Sequence, residues 1–158
     1  MIAARLPLAL AAFALACTLP ACDAADDGAL VSFVPVENAS ALRVESSGTT
    51  VFTDAAAWAA FWRAHVNAWD GAGVPLPVPE VDFARRTVVA VFWGGELHTG
   101  CTSDVDVFRD VREEDGALRV RVTALPDLGV CRAIVHPLQV IAVERAGQRV
   151  RFEGRVPG

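Results

Sequence analysis

Thr87-Val88-Val89-Ala90-Val91-Phe92-Trp93 is an almost unbroken apolar run, rich in β-branched residues. Its length suits one strand, and its lack of polar alternation predicts a central strand covered on both faces. Gly94-Gly95 breaks the run. Downstream, Leu118, Val120 and Val122 alternate with Arg119, Arg121 and Thr123, the pattern of a half-buried strand. Before it, Val105, Val107 and Val111 share one face with Arg109 intervening, while Asp104, Asp106 and Asp110 take the other. Glu113 to Gly116 reads as the turn of a hairpin that sets these acids opposite Arg119 and Arg121. Such exposed cross-strand pairs contribute about 0.2–1 kcal/mol each, so the acids serve to solvate a face. Ile134 to Val143, interrupted by Pro137, and Val150 to Phe152 give the last strands around an Arg145–Gln148 turn. Leu30 to Val36, ending at Pro35, reads as an edge strand, and residues 42–53 as a hairpin or bent strand pair.

Between these strand patterns the period changes. Thr53-Asp54 offers an N-cap, and Trp58, Phe61, Trp62, His65, Val66 and Trp69 fall on one face of a helix. The stripe predicts a helix that plugs a sheet, with His65 as a packed histidine. Asp70 to Gly73 ends the helix. Val74-Pro75-Leu76-Pro77-Val78-Pro79 then places proline at alternate positions, which enforces extended backbone and predicts a stiff crossover.

The amino terminus sets the compartment. Arg5 precedes an apolar run from Leu6 to Ala16, too short for a span of about 20 residues but suited to a secretory signal. Leu19-Pro20-Ala21-Cys22 resembles the bacterial lipobox, in which the cysteine is acylated and the signal is cut before it. Cys17 is a rival lipid site without a leucine three residues ahead. An ordinary cut after Ala24 also predicts export. Asp23 after Cys22 resembles an inner-membrane retention signal of some bacteria. Residues 1–21 are thus expected to be a lipoprotein signal peptide, 22–29 a tether, and 30–158 one domain in the cell envelope, membrane-anchored and facing outside the cytoplasm.

Without Arg5, 13 arginines face 19 carboxylates, and no basic tract is present, so nucleic acid is not an expected partner. The chain contains no lysine, which excludes Schiff-base chemistry, lysine general bases and a P-loop.

Cys101 and Cys131 remain in the domain. In an oxidising compartment the pair is most simply a disulfide, worth about 3.5 kcal/mol for a loop of this length. Zinc held by His98, Cys101, Cys131 and His136 is the competing reading, and a catalytic thiol paired with His98 a third. No nucleophile elbow, paired-histidine zinc motif or phosphate loop is present. The expectation is a non-enzyme without cofactor or metal.

The aromatic helix (Trp58-x2-Phe61-Trp62), Pro79-Glu80-Val81-Asp82-Phe83, the apolar strand, Gly94-Gly95 and the Thr99-Gly100 loop together resemble the PrcB C-terminal domain family. The stretch from Glu113 to Gly116, the Cys131 loop and Pro137 to Ile141 fit as well, so the resemblance covers about residues 50–152. It implies an accessory or stabilising subunit of an exported protease, acting by protein binding. Many members have Gly-Gly-Tyr where this chain has Thr99-Gly100-Cys101. That loop also resembles the Thr-Gly-Tyr loop of secreted cysteine-protease inhibitors of the chagasin type.

The expected fold is α+β: one amphipathic helix on a largely antiparallel sheet of five to seven strands, with one disulfide. The expected presenting end is the loop 94–103, with Gly95, His98, Thr99 and Gly100 as candidate partner-binding residues, beside the loop 126–132. A protease inhibitor using the same loop, and an envelope small-ligand module using the aromatic face or a pocket beneath the helix, are the alternatives.

Overall fold

The computed structural model describes residues 28–68, 71–98, 105–125 and 133–158. In chain order the elements are β1 (Ala29–Leu30), β2 (Phe33–Pro35), a 3-10 turn (Ala39–Ala41), β3 (Ser47–Phe52), α1 (Ala55–His65), β4 (Thr87–Trp93), β5 (Glu96–His98), β6 (Phe108–Glu114), β7 (Ala117–Val122), β8 (Ala133–Val135), β9 (Leu138–Val143) and β10 (Arg149–Gly154).

Among the described residues the fold is α+β with one α-helix, as expected, but the strands form two four-stranded sheets and a ribbon rather than one sheet. The order β2-β9-β4-β3 makes a helix-bearing sheet, β1-β6-β7-β10 makes a second sheet, and β5-β8 is a separate two-stranded ribbon. Among the described residues all strand pairings are antiparallel except β7 with β10. The double-faced strands β4 and β9 explain the layering. Val88, Ala90 and Phe92 of β4, with Leu138, Val140 and Ala142 of β9, pack with Phe52, Trp58 and Trp62. Their alternate residues, Val89, Val91, Ile141 and Val143, pack against Val111, Leu118, Val120 and Val122 of the second sheet. A strand that is apolar on both faces needs two covers, and helix α1 supplies one.

Several strands change sheets where hairpins were expected. β1 and β2 belong to different sheets, with the chain crossing at Val31-Ser32. Residues 47–52 form one strand on β4 rather than half of a local hairpin. Pro137 separates β8 of the ribbon from β9. The Arg145–Gln148 connection leads not to a hairpin partner of β9 but to β10, which runs parallel to β7 in the other sheet.

The β6–β7 hairpin forms as read, with Asp110 opposite Arg121 and an ion pair of 3.4 Å between them. A bulge between Phe108 and Asp110 absorbs Arg109, so Val107, Phe108 and Val111 are all buried despite their uneven spacing. Asp106 does not face the arginines; it accepts from Gln139 Nε2 at 3.2 Å. Asp104 lies outside the described residues.

Helix α1 begins where read. Asp54 caps it, accepting from the Ala57 amide at 2.8 Å. It stops about one turn earlier than the aromatic stripe predicts. Val66 is extended and bridges to Leu42, while Arg43 N donates to His65 O and Asn67 N to Ala41 O. Pairing with residues 41–43 replaces another helical turn. Trp58 and Trp62 are 1% and 0% exposed, so the stripe is core and not an open aromatic face. Trp69 lies outside the described residues.

The proline-rich crossover straps the helix. Leu76, Val78, Val81 and Phe83 pack onto the core beneath α1, and two indoles bond to strap carbonyls: Trp58 Nε1 to Pro79 O at 3.1 Å and Trp62 Nε1 to Leu76 O at 3.0 Å.

Candidate functional site

The ribbon grows from the end of β4. Trp93 N donates to Pro137 O at 2.9 Å, then Gly94 takes a positive φ of 77° and lets the chain leave the sheet. A side chain at Gly94 would meet Glu45 O at 2.8 Å. At Gly95, a Cβ would lie 2.8 Å from His136 Nε2 and 3.1 Å from Glu45 Oε2. The two glycines are what allow the chain to pass between these groups. Beyond them, Glu96 pairs with Val135, Leu97 with Ile134 and His98 with Ala133.

A small polar cluster supports the root of the ribbon. His136 is buried, and its Nε2 lies 3.1 Å from Glu45 Oε2. Arg43 Nε donates to Glu45 Oε1 at 2.8 Å. The hydrogen bond from His136, then that from Arg43, holds the Glu45 carboxyl below the ordinary carboxylate range. The second buried polar device is Gln139, on β9. Its Oε1 accepts from the amides of Val107 and Phe108 at 2.8 and 2.9 Å, fixing the segment that enters β6. Both clusters hold the loops' attachment points in place.

Of the expected site residues, Gly95 is exposed at the root of the ribbon and His98 is the last residue of β5. Thr99, Gly100, Cys101 and Cys131 lie outside the described residues, as does Cys22. No disulfide is shown among the described residues. Of the four ligands in the zinc reading, His98 ends β5 and His136 has its side chain described, in contact with Glu45. Among the described residues no group of three or more His, Cys, Asp and Glu gathers in a metal-holding arrangement. His65 packs as expected, with its ring 4.5 Å from that of Phe61 and Nδ1 3.3 Å from Arg43 O.

Glu45 and Gln139 were not singled out by the sequence. Gln139 had a signal, as the only polar residue in Leu138–Val143. Glu45 had none, because the histidine it meets is 91 residues away.

Several open grooves mark the surface of the described residues, two of them larger than three others. One of about 560 Å³ lies between β2, the 3-10 turn and the start of β6, lined by Phe33, Asn38, Asp106, Phe108 and Gln139. The other, about 580 Å³, separates α1 from the strap and is lined by Ala55, Trp58, Ala59, Val81 and Phe83. Among the described residues no helix is long and apolar enough to cross a membrane.

Comparison with protein-family models, curated proteins and solved structures finds no match to this chain.

Proposed function

We propose that this chain is a non-catalytic, exported lipoprotein, anchored through Cys22, that serves an exported protease as an accessory subunit. The partner is bound at the ribbon end, by the loops 94–103 and 126–132. The observation that carries this reading is where β1, the strand that follows the tether, meets β6. The chain leaves the ribbon into β6 at Phe108 and returns towards it from β7 at Val122. β1 instead meets β6 near its far end, with Ala29 opposite Glu113 and Leu30 opposite Arg112. β1 and the start of β6, where the chain arrives from the ribbon, thus lie about 15 Å apart along β6. A lipid on the tether would hold the ribbon end outward, where a partner can reach it.

The family resemblance of residues 50–152 supports the protease as partner. A Cys101–Cys131 disulfide belongs to the same reading. His98 lies opposite Ala133, so Cys101 follows one ribbon strand by three residues and Cys131 precedes the other by two.

The test is capture of the lipidated protein from its own cells after crosslinking, with mass spectrometry of what is retained. Enrichment of an exported protease over an unrelated lipoprotein control is expected. Addition of the purified chain to that protease should then raise or preserve its activity. Inhibition would assign the loop to the inhibitor reading instead. Absence of any protease, under conditions that retain other envelope complexes, would overturn the proposal. The groove between α1 and the strap favours a small-ligand module as the second reading.

A further inference from the structure

We infer that the outer edge of β3 is where an extended segment of the partner adds to the helix-bearing sheet as a fifth strand. The inference rests on the protein-binding reading above and specifies how the partner is held.

Both sheets have open edges, and they differ in how they are guarded. β1 has two residues, β2 has three and ends in Pro35, and β10 carries Arg149, Arg151 and Glu153. Short length, proline and charge are the usual devices that keep a sheet edge from pairing with another chain. β3 has none of them. It is six residues long, Ser47-Gly48-Thr49-Thr50-Val51-Phe52, with no charge and no proline. Its centre is β-branched, and Thr49, Thr50 and Val51 are half-buried.

The ladder fixes which backbone groups face outward. Trp93 N bonds to Pro137 O, so Trp93 faces β9, and alternation turns Val91 and Val89 the same way. Phe92, Ala90 and Val88 therefore bond to their β3 partners Gly48, Thr50 and Phe52. Ser47, Thr49 and Val51 direct their N–H and C=O groups away from the sheet. Ser47 lies beside the chain end, its Oγ donating to Gly158 O at 2.6 Å. The open stretch is Thr49 to Val51, with two donors and two acceptors pointing outward and no partner among the described residues.

Charge selects the occupant. Exposed Glu45 and Asp54 flank the strand at its two ends, Glu45 with Arg43 on one oxygen and His136 on the other, and Asp54 with the Ala57 amide on one oxygen. A second copy paired about a two-fold axis at Thr49 would bring Glu45 of each copy beside Asp54 of the other. A segment that is β-branched and uncharged in its centre, with basic residues at its ends, meets no such repulsion. It fits the backbone by strand addition and the flanks by charge. The edge also begins where the ribbon is rooted, since Gly94 packs against Glu45 O and Ser46.

The substitution Val51→Pro tests the edge. It removes an outward N–H and none of the bonds to β4, and proline is tolerated on edge strands. The probe is a blocked heptapeptide of alternating threonine and valine between terminal arginines. In the purified full chain, the Thr49 and Val51 amides should exchange freely and become protected when the peptide is added. V51P should weaken peptide binding by about tenfold or more while the chain still melts cooperatively; T49P should behave alike. Peptide binding that V51P leaves unchanged, absence of binding to the parent chain, or slow exchange of these amides in the free monomer would overturn the inference. Self-association abolished by V51P would assign the edge to a second copy and overturn it too. Capture of an exported protease by both the parent chain and V51P would reject the edge and leave the accessory reading standing. Capture by neither would reject that reading and leave the peptide measurement to decide the edge.

Discussion

The indole N–H of Trp62 donates to the backbone carbonyl of Leu76 at 3.0 Å, tying the fully buried face of α1 to the proline strap that crosses it. The strap carries three prolines in six residues, so few of its own amides are available for a ladder. The tryptophans supply the bonds that a neighbouring strand would otherwise give. Trp62→Phe leaves the Leu76 carbonyl without its donor and part of the ring volume empty, and is expected to cost about 1–3 kcal/mol. Trp62→Ala should cost about 3–5 kcal/mol. Urea unfolding with an unchanged m-value checks both. A loss below about 0.5 kcal/mol for the alanine variant would contradict the packing described.

Gln139 occupies one place in an otherwise apolar strand and accepts two amides, Val107 N and Phe108 N, with its Oε1. Gln139→Leu keeps the volume and strands both donors, each at about 1–3 kcal/mol. The expected outcome is a loss of stability larger than that of an ordinary core substitution. Faster amide exchange should be confined first to residues 105–108.

Thr87 tests the opposite sign. It is 0% exposed, and its Oγ1 has no hydrogen-bond partner among the described residues. Thr87→Val replaces the hydroxyl with a methyl of similar size and is expected to stabilise the fold by about 1 kcal/mol. A destabilised variant would mean that the hydroxyl has a partner not seen in this structure.

Acid should weaken the fold through two glutamates. Glu45 is bonded by His136 and Arg43, and Glu113 by Arg145 and Gln148; each carboxyl is held below its ordinary range. A group with a lowered folded-state value favours the native state above its unfolded value, about 4.3 for glutamate, and loses that contribution as pH falls through the folded value. Stability is therefore expected to hold from neutral pH to about 5 and to decline below it. Glu113→Gln should flatten part of that decline in a pH series of thermal melts.

Much of the fold was legible because local pattern decides local structure. Asp54 announced the start of α1, the tryptophan spacing its buried face, and Leu118, Val120 and Val122 the inner face of β7. The sequence even implied the layering, since Thr87 to Trp93 is apolar on both sides and one helix covers one side. A second cover was required, and reading one sheet overlooked it. What pattern does not encode is which sheet a strand joins. The crossings at Val31-Ser32, Pro137 and Arg145–Gln148 turned expected neighbours into members of different sheets. The end of α1 was set by backbone pairing with residues 41–43 rather than by its own stripe. At the candidate site, Gly94 and Gly95 were visible as a break, whereas their reason, the approach to Glu45 and His136, depends on residues far away in the chain. Cys22, Thr99, Gly100, Cys101 and Cys131 lie outside the described residues.

The most direct test of the binding account places a photo-crosslinking residue at Thr99 in one variant and at Ala146 in another, both produced in the native cells. Ala146 sits in the exposed turn after β9, away from the ribbon. The account predicts that Thr99 crosslinks to an exported protease and that Ala146 does not. Equal crosslinking from both positions, or from neither, would contradict the claim that the ribbon end presents this protein to its partner.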